Sequence, residues 1–192
     1  MLVGGHETAG FTLGTTLLLL AKHPEVSSKL RNELLSTDVS KRSSRSGYLH
    51  NVIRESKRMV PVAALGSIRR TGRDFSFNTS NRSMVIPKGA TVFLPVILPH
   101  HHKESFGDPE SFRPERWDKE DTKMRQALMS FSLGNRDCVG QSLAVAEMYS
   151  IIPRLIAEYD FEVEAEGKLE FFLTLKYVGA RLKPTRVGTQ SI

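Results

Sequence analysis

Residues 99–137 carry no sustained hydrophobic period, yet periodic segments flank them on both sides. Pro99, Pro109, Pro114 and Gly134 punctuate this stretch. So long a coil inside a compact domain usually has a functional reason. Any fold for this chain must account for it.

The flanks are readable from their spacing. Residues 1–22 predict a helix, and His23-Pro24-Glu25 opens a second, with Pro24 suited to a first helical turn. Val26, Leu30 and Leu34 share one face of that helix, and Glu25 stands four residues before Lys29. Ser36–Gly47 is polar and aperiodic, a surface loop. Tyr48–Met59 predicts a third helix with Leu49, Val52 and Ile53 inward, stopped by Pro61. Beyond it the period shortens to strand-like runs at Phe75/Phe77, Met84–Ile86 and Thr91–Leu94, with turns at Asn78–Asn81 and Pro87–Gly89. After Cys138 comes a long amphipathic helix whose stripe is Met148, Ile151, Ile152, Leu155, Ile156 and Tyr159. Pro153 inside it predicts a kink. Phe161–Val163 and Phe171–Leu175 predict a terminal strand pair. The class is mainly α with a small β-sheet, one domain over residues 1–192.

Composition narrows the function classes. At 40% hydrophobic and 25% charged residues the chain can build a core, which excludes a wholly disordered tail. The net charge of +6 is compatible with nucleic acid, anionic lipid or an acidic protein and selects none of them. A single cysteine excludes an internal disulfide framework and cannot make a structural zinc site alone, so a reducing compartment is the default. The apolar stretch Ala9–Ala21 is too short and too interrupted to span a bilayer, and no basic flank precedes it as in a signal peptide. The chain reads as soluble.

Several motifs fail on inspection. His6-Glu7 would need a second histidine where Gly10 stands, and Gly5 to Gly10 has phosphate-loop spacing with Phe11 in place of the essential lysine. His100-His101-His102 are adjacent, and adjacent side chains converge poorly on one ion.

The segment Phe131-Ser-Leu-Gly134-Asn-Arg136-Asp-Cys138-Val-Gly140 is more specific. The bland alternative is an inert buried cysteine. Cys138 lies just before a long helix, whose N-terminal amides and dipole favour a thiolate. Gly134 and Gly140 permit close backbone approach and unusual dihedrals. With its pattern Phe-x-x-Gly-x-Arg-x-Cys-x-Gly, the chain resembles the cytochrome P-450 family of haem-thiolate monooxygenases.

The resemblance implies Cys138 as axial ligand of the iron in haem b, with Phe131, Gly134, Arg136 and Gly140 around the cofactor. Arg136 would pair with a haem propionate, and Arg69 would be a second propionate ligand, with Arg70 its competitor. Two distant matches agree. Glu55-Ser-Lys-Arg58 reproduces Glu-x-x-Arg, its charges on one helical face, and Pro114-Glu115-Arg116-Trp117 matches the family's Pro-Glu-Arg-Phe/Trp segment. They imply a buried Glu55–Arg58–Arg116 network that locks the coil, a structural role. Gly4-Gly5-His6-Glu7-Thr8 is similar to the family's distal-helix motif. A helical Thr8 hydroxyl can bond back to the Gly4 carbonyl and open a local groove. The resemblance makes Thr8 the hydrogen-bond partner of dioxygen and Glu7 part of the proton relay. Val62–Gly66 and Phe172–Thr174 correspond to substrate-lining segments, and Glu147 to a surface or packing position.

The family is well over twice this length, so the chain resembles its C-terminal portion, and Ala9 and Pro153 depart from the common pattern. The implied activity is insertion of one oxygen atom into a small apolar substrate, with NAD(P)H-derived electrons from a flavoprotein reductase or ferredoxin. The alternatives are a non-catalytic remnant without haem and a haem-thiolate isomerase or dehydratase. Lys119, Lys123, Arg125 and Arg136 are candidates for the electron donor's docking face. No nucleic-acid role is implied. Membrane attachment would come only through an N-terminal anchor, placing a eukaryotic parent at the cytosolic face of the endoplasmic reticulum.

Overall fold

In the computed structural model, which describes residues 2–45, 47–79 and 81–188, seven α-helices and eight short strands follow one another along the chain. Helices α1 (Leu2–Lys22), α2 (Pro24–Ser36), α3 (Gly47–Met59) and α7 (Gln141–Glu158) make the main layer. Their buried faces form one core: Leu19 and Leu20 of α1, Val26, Leu30 and Leu34 of α2, Leu49, Val52 and Ile53 of α3, and Met148, Ile152 and Ile156 of α7. These are i, i+3, i+4 positions, so burial follows helical period. Ile151 of the predicted α7 stripe instead faces outward, 38% exposed. The helix runs continuously through Pro153, which is buried.

The sheet component differs from the expected single small sheet. It is four separate antiparallel ribbons. Strand β1 (Ser67–Arg70) pairs with β4 (Thr91–Leu94), and β2 (Phe75–Asn78) with β3 (Ser83–Ile86). Strand β5 (Tyr159–Ala165) pairs with β8 (Arg181–Arg186), while β6 (Lys168–Phe171) and β7 (Leu175–Val178) form a hairpin between them. The predicted pairing of Phe161–Val163 with Phe171–Leu175 is therefore wrong. Phe161 faces Pro184 and Val163 faces Leu182, whereas Phe171 and Leu175 close a turn on each other. Strand β8 reads Arg-Leu-Lys-Pro-Thr-Arg, with no apolar alternation and a proline, so its pairing is tertiary and carries no local signal.

The coil is less irregular than its sequence suggests. It contains α4 (Ile97–His100), α5 (Lys103–Phe106), a 3-10 stretch over Pro114–Lys119, α6 (Thr122–Ala127) and a 3-10 turn at Gly134–Arg136. A small core of Phe106, Trp117, Met124 and Ala127 sits under it. The predicted loop Ser36–Gly47 likewise holds a 3-10 turn at Val39–Lys41.

Candidate haem-thiolate site

Glu55 and Arg58 are fully buried on one turn of α3. The Glu55 carboxylate accepts from Arg58 Nε and Nη2 (3.0 Å each), Arg116 Nε (2.8 Å), the Arg113 amide (2.9 Å) and the Trp117 indole (3.0 Å). The two guanidinium groups then spend their remaining donors on coil carbonyls. Arg58 reaches His100 O (3.1 Å), Pro109 O (2.7 Å) and Ser111 O (3.2 Å). Arg116 reaches Phe106 O, Asp108 O (2.8 Å) and Ser111 O (2.9 Å). One carboxylate thus organises two cations that satisfy a run of backbone acceptors outside any ladder. Arg113 and Trp117 were not anticipated as donors. Trp117 stands in the matched Pro114–Trp117 segment, and Arg113, three residues before Arg116, carried no signal of its own.

The coil ends in the cysteine loop. Met129 and Ser132 close a turn (Ser132 N–H to Met129 O, 2.9 Å), and the Cys138 amide donates back to Phe131 O at 2.9 Å. Gly134 holds φ +77°, where a side chain would be strained. Cys138 is exposed, and its carbonyl accepts from Gln141, the first residue of α7. A Cβ on Gly140 would lie 3.9 Å from Cys138 Sγ, so the glycine leaves the flank of the sulfur clear. Val139, next to Cys138 in the chain, is 86% exposed, and Leu133 and Leu143 are exposed as well. Arg136 is exposed, without an ion-pair partner among the described residues.

On α1, Thr8 Oγ1 donates to Gly4 O at 2.7 Å. The same back-bond recurs at Thr12 to Thr8 O (2.7 Å) and Thr16 to Thr12 O (2.8 Å), a threonine ladder that the four-residue spacing could have announced. Glu7 is half-buried beside it. Arg69 lies half-buried on β1 and donates to Ile68 O at 3.3 Å. The segments Val62–Gly66 and Phe172–Thr174 meet through Leu175 N–H to Val62 O at 2.8 Å, and Phe172 at the hairpin tip is 89% exposed. Glu147 is exposed.

His100 does not join a metal cluster; among the described residues no three His, Cys, Asp or Glu side chains converge. It is fully buried, and its Nε2 accepts the Met129 amide at 2.9 Å. Burial lowers its pKa from the usual 6.5 to about 4, with nearby Arg58 and Lys57 backbone groups opposing the shift. Between those values the unfolded chain takes up a proton that the folded chain refuses. Stability should therefore fall as pH drops from 6.5 toward 4, by up to about 3 kcal/mol. Urea titrations at pH 7 and 4.5 should show a smaller loss for His100→Gln; an equal loss would remove His100 as the cause.

An exposed cysteine before a helix N-terminus, with a glycine on the flank of its sulfur, has the chemistry that a thiolate ligand to a flat macrocycle requires. Residues 1–187 match the sequence profile of the family Cytochrome P450. The chain belongs to that family. It is 33% identical over 185 residues to cytochrome P450 monooxygenase TRI4 of Fusarium sporotrichioides, covering 91% of this chain and 35% of that protein. It is 29% identical to cytochrome P450 3A29 of Sus scrofa, covering 94% of this chain and 36% of that protein. The crystal structure of a cytochrome P450, CYP102L1, superposes with a TM-score of 0.80 at 27% identity, over 96% of this chain and 44% of that one. The chain thus spans about a third of the length of its curated relatives. The fold is part of the cytochrome P450 fold. The residues present fit a haem: one sulfur donor, a cleared flank, apolar neighbours and a cation free to meet a carboxylate.

Proposed function

We propose that the protein carrying this chain is a haem-thiolate monooxygenase that inserts one atom of dioxygen into a small apolar substrate. The observation that carries this reading is the Cys138 loop, in which the amide is tied to Phe131 O while the sulfur stands exposed before α7. Cys138 would be the ligand to the iron of haem b, with Phe131, Gly134 and Gly140 against the macrocycle and Arg136 and Arg69 at its propionates. When bound, the haem supplies dioxygen binding and activation, which thiolate donation favours.

The chain's own residues do the rest. The Cys138 carbonyl accepts from the Gln141 amide, which ties the sulfur-bearing residue to the first turn of α7. Leu133, Val139 and Leu143 would exclude water from the ligand bond. Thr8 Oγ1 gives its one hydrogen to Gly4 O and keeps lone pairs that would accept a further hydrogen bond, and Glu7 stands one residue away as a proton source. Val62–Gly66 and Phe172–Thr174 would contact substrate. Electrons would come from NAD(P)H through a flavoprotein reductase or a ferredoxin docking on the basic residues Lys119, Lys123, Arg125 and Arg136. Among the described residues no helix is long and apolar enough to cross a membrane. Residence of a eukaryotic parent at the endoplasmic reticulum would depend on a segment outside this chain.

The test uses the full-length protein with its reductase. It should bind haem, give the red-shifted thiolate band in the reduced carbon-monoxide complex, and consume reductant with substrate. Thr8→Val should still consume reductant while hydrogen peroxide replaces most of the oxygenated product. Unchanged coupling of reductant to product would remove Thr8 from proton delivery.

A further inference from the structure

The turn Met129–Ser132 begins the cysteine loop, and Ser132 at φ +63° is the one non-glycine with positive φ among the described residues. Such a conformation persists only where its surroundings over-determine it. Two side chains from outside the loop meet this turn. His100, fully buried at the end of α4, accepts the Met129 amide at 2.9 Å, and its own carbonyl is held by Arg58. Lys57, half-buried on α3 between Glu55 and Arg58, places its ammonium 4.9 Å from the centre of the Phe131 ring. Lys57 has no carboxylate partner among the described residues, so the ring face is its recorded contact. Phe131 O is in turn the acceptor for the Cys138 amide.

We propose that Lys57 and His100 form a two-point clamp that seats the Met129–Ser132 turn on α3 and α4 and thereby positions Cys138. Both are positioning residues: His100 fixes the first residue of the turn and Lys57 the third, and Phe131 O passes that placement to Cys138. The Glu55 network holds the preceding coil, from His100 to Trp117, and touches this turn only through His100, whose carbonyl Arg58 holds. The clamp stands on its own geometry; its consequence for a thiolate ligand rests on the haem-thiolate reading.

Hydrogen exchange on the full-length protein separates the two. In Lys57→Met, amides of residues 129–140 should exchange about fivefold faster while those of α2 are unchanged. Lys57→Arg, which restores a cation over the ring, should return them to the native rate. His100→Leu should accelerate the same amides more strongly, and His100→Gln, whose amide oxygen can accept from Met129, should recover part of the protection. In the haem-loaded protein, Lys57→Met should lower the fraction of the thiolate band, and Lys57→Arg should restore it. Unchanged exchange at 129–140 in Lys57→Met would overturn the clamp, as would acceleration spread equally over α2. If His100→Leu fails to fold, the Lys57 pair decides alone. A wild-type protein without a thiolate band would defeat the haem-thiolate reading, and the exchange rates would still judge the clamp.

Discussion

Glu55→Gln should destabilise the fold by about 3–5 kcal/mol, the usual cost of removing one partner from a buried ion pair. Glutamine keeps the volume but offers one acceptor oxygen where the carboxylate has two. Its amide nitrogen would face the N–H donors of Arg58, Arg116, Arg113 or Trp117, at least one of which must lose its partner. Two guanidinium groups would then share a buried site without a compensating charge. Because those groups also carry the carbonyls of His100, Phe106, Asp108, Pro109 and Ser111, the coil should loosen with them. Urea denaturation of the full-length variant measures the loss. A value below about 1 kcal/mol, typical of an exposed pair, would show that the network is not what holds the coil.

Cys138→Ser should abolish the thiolate band of the reduced carbon-monoxide complex while leaving the fold nearly intact. The second half follows from exposure: the side chain makes no core contact, and surface substitutions of this kind stay within about 0.5 kcal/mol. The first follows from chemistry, because serine offers an alcohol oxygen where the iron needs an electron-rich sulfur. Spectra of the haem-loaded protein would report the first and urea midpoints of the haem-free protein the second. Retention of the band would mean that another residue ligates the iron.

Interactions within a few residues were open to sequence reading. Thr8 to Gly4 is an i−4 bond, and Glu55 with Arg58 is an i, i+3 pair on one helical face. The helical cores of α2 and α3 follow directly from their apolar spacing, because a regular backbone turns position into direction. The Cys138 loop was legible for a related reason: its residues are consecutive, and the helix that follows them is amphipathic.

Tertiary structure alone decided what the non-repeating backbone does. Arg116 meets Glu55 across sixty-one positions, a pairing that spacing does not show and only the family resemblance implied, and His100 meets Met129 across twenty-nine. Strand β8 finds β5 with a sequence that shows no alternation, while the β6–β7 hairpin occupies the pairing expected for Phe161–Val163. In each case the deciding quantity is an unsatisfied polar group, of backbone or side chain, that has to find a partner, and any nearby donor or acceptor can serve. Spacing along the chain carries no record of which one does. Period and motif therefore determined the four long helices and the cysteine loop of this protein, and the long-range satisfaction of buried polar groups decided how the loop is held.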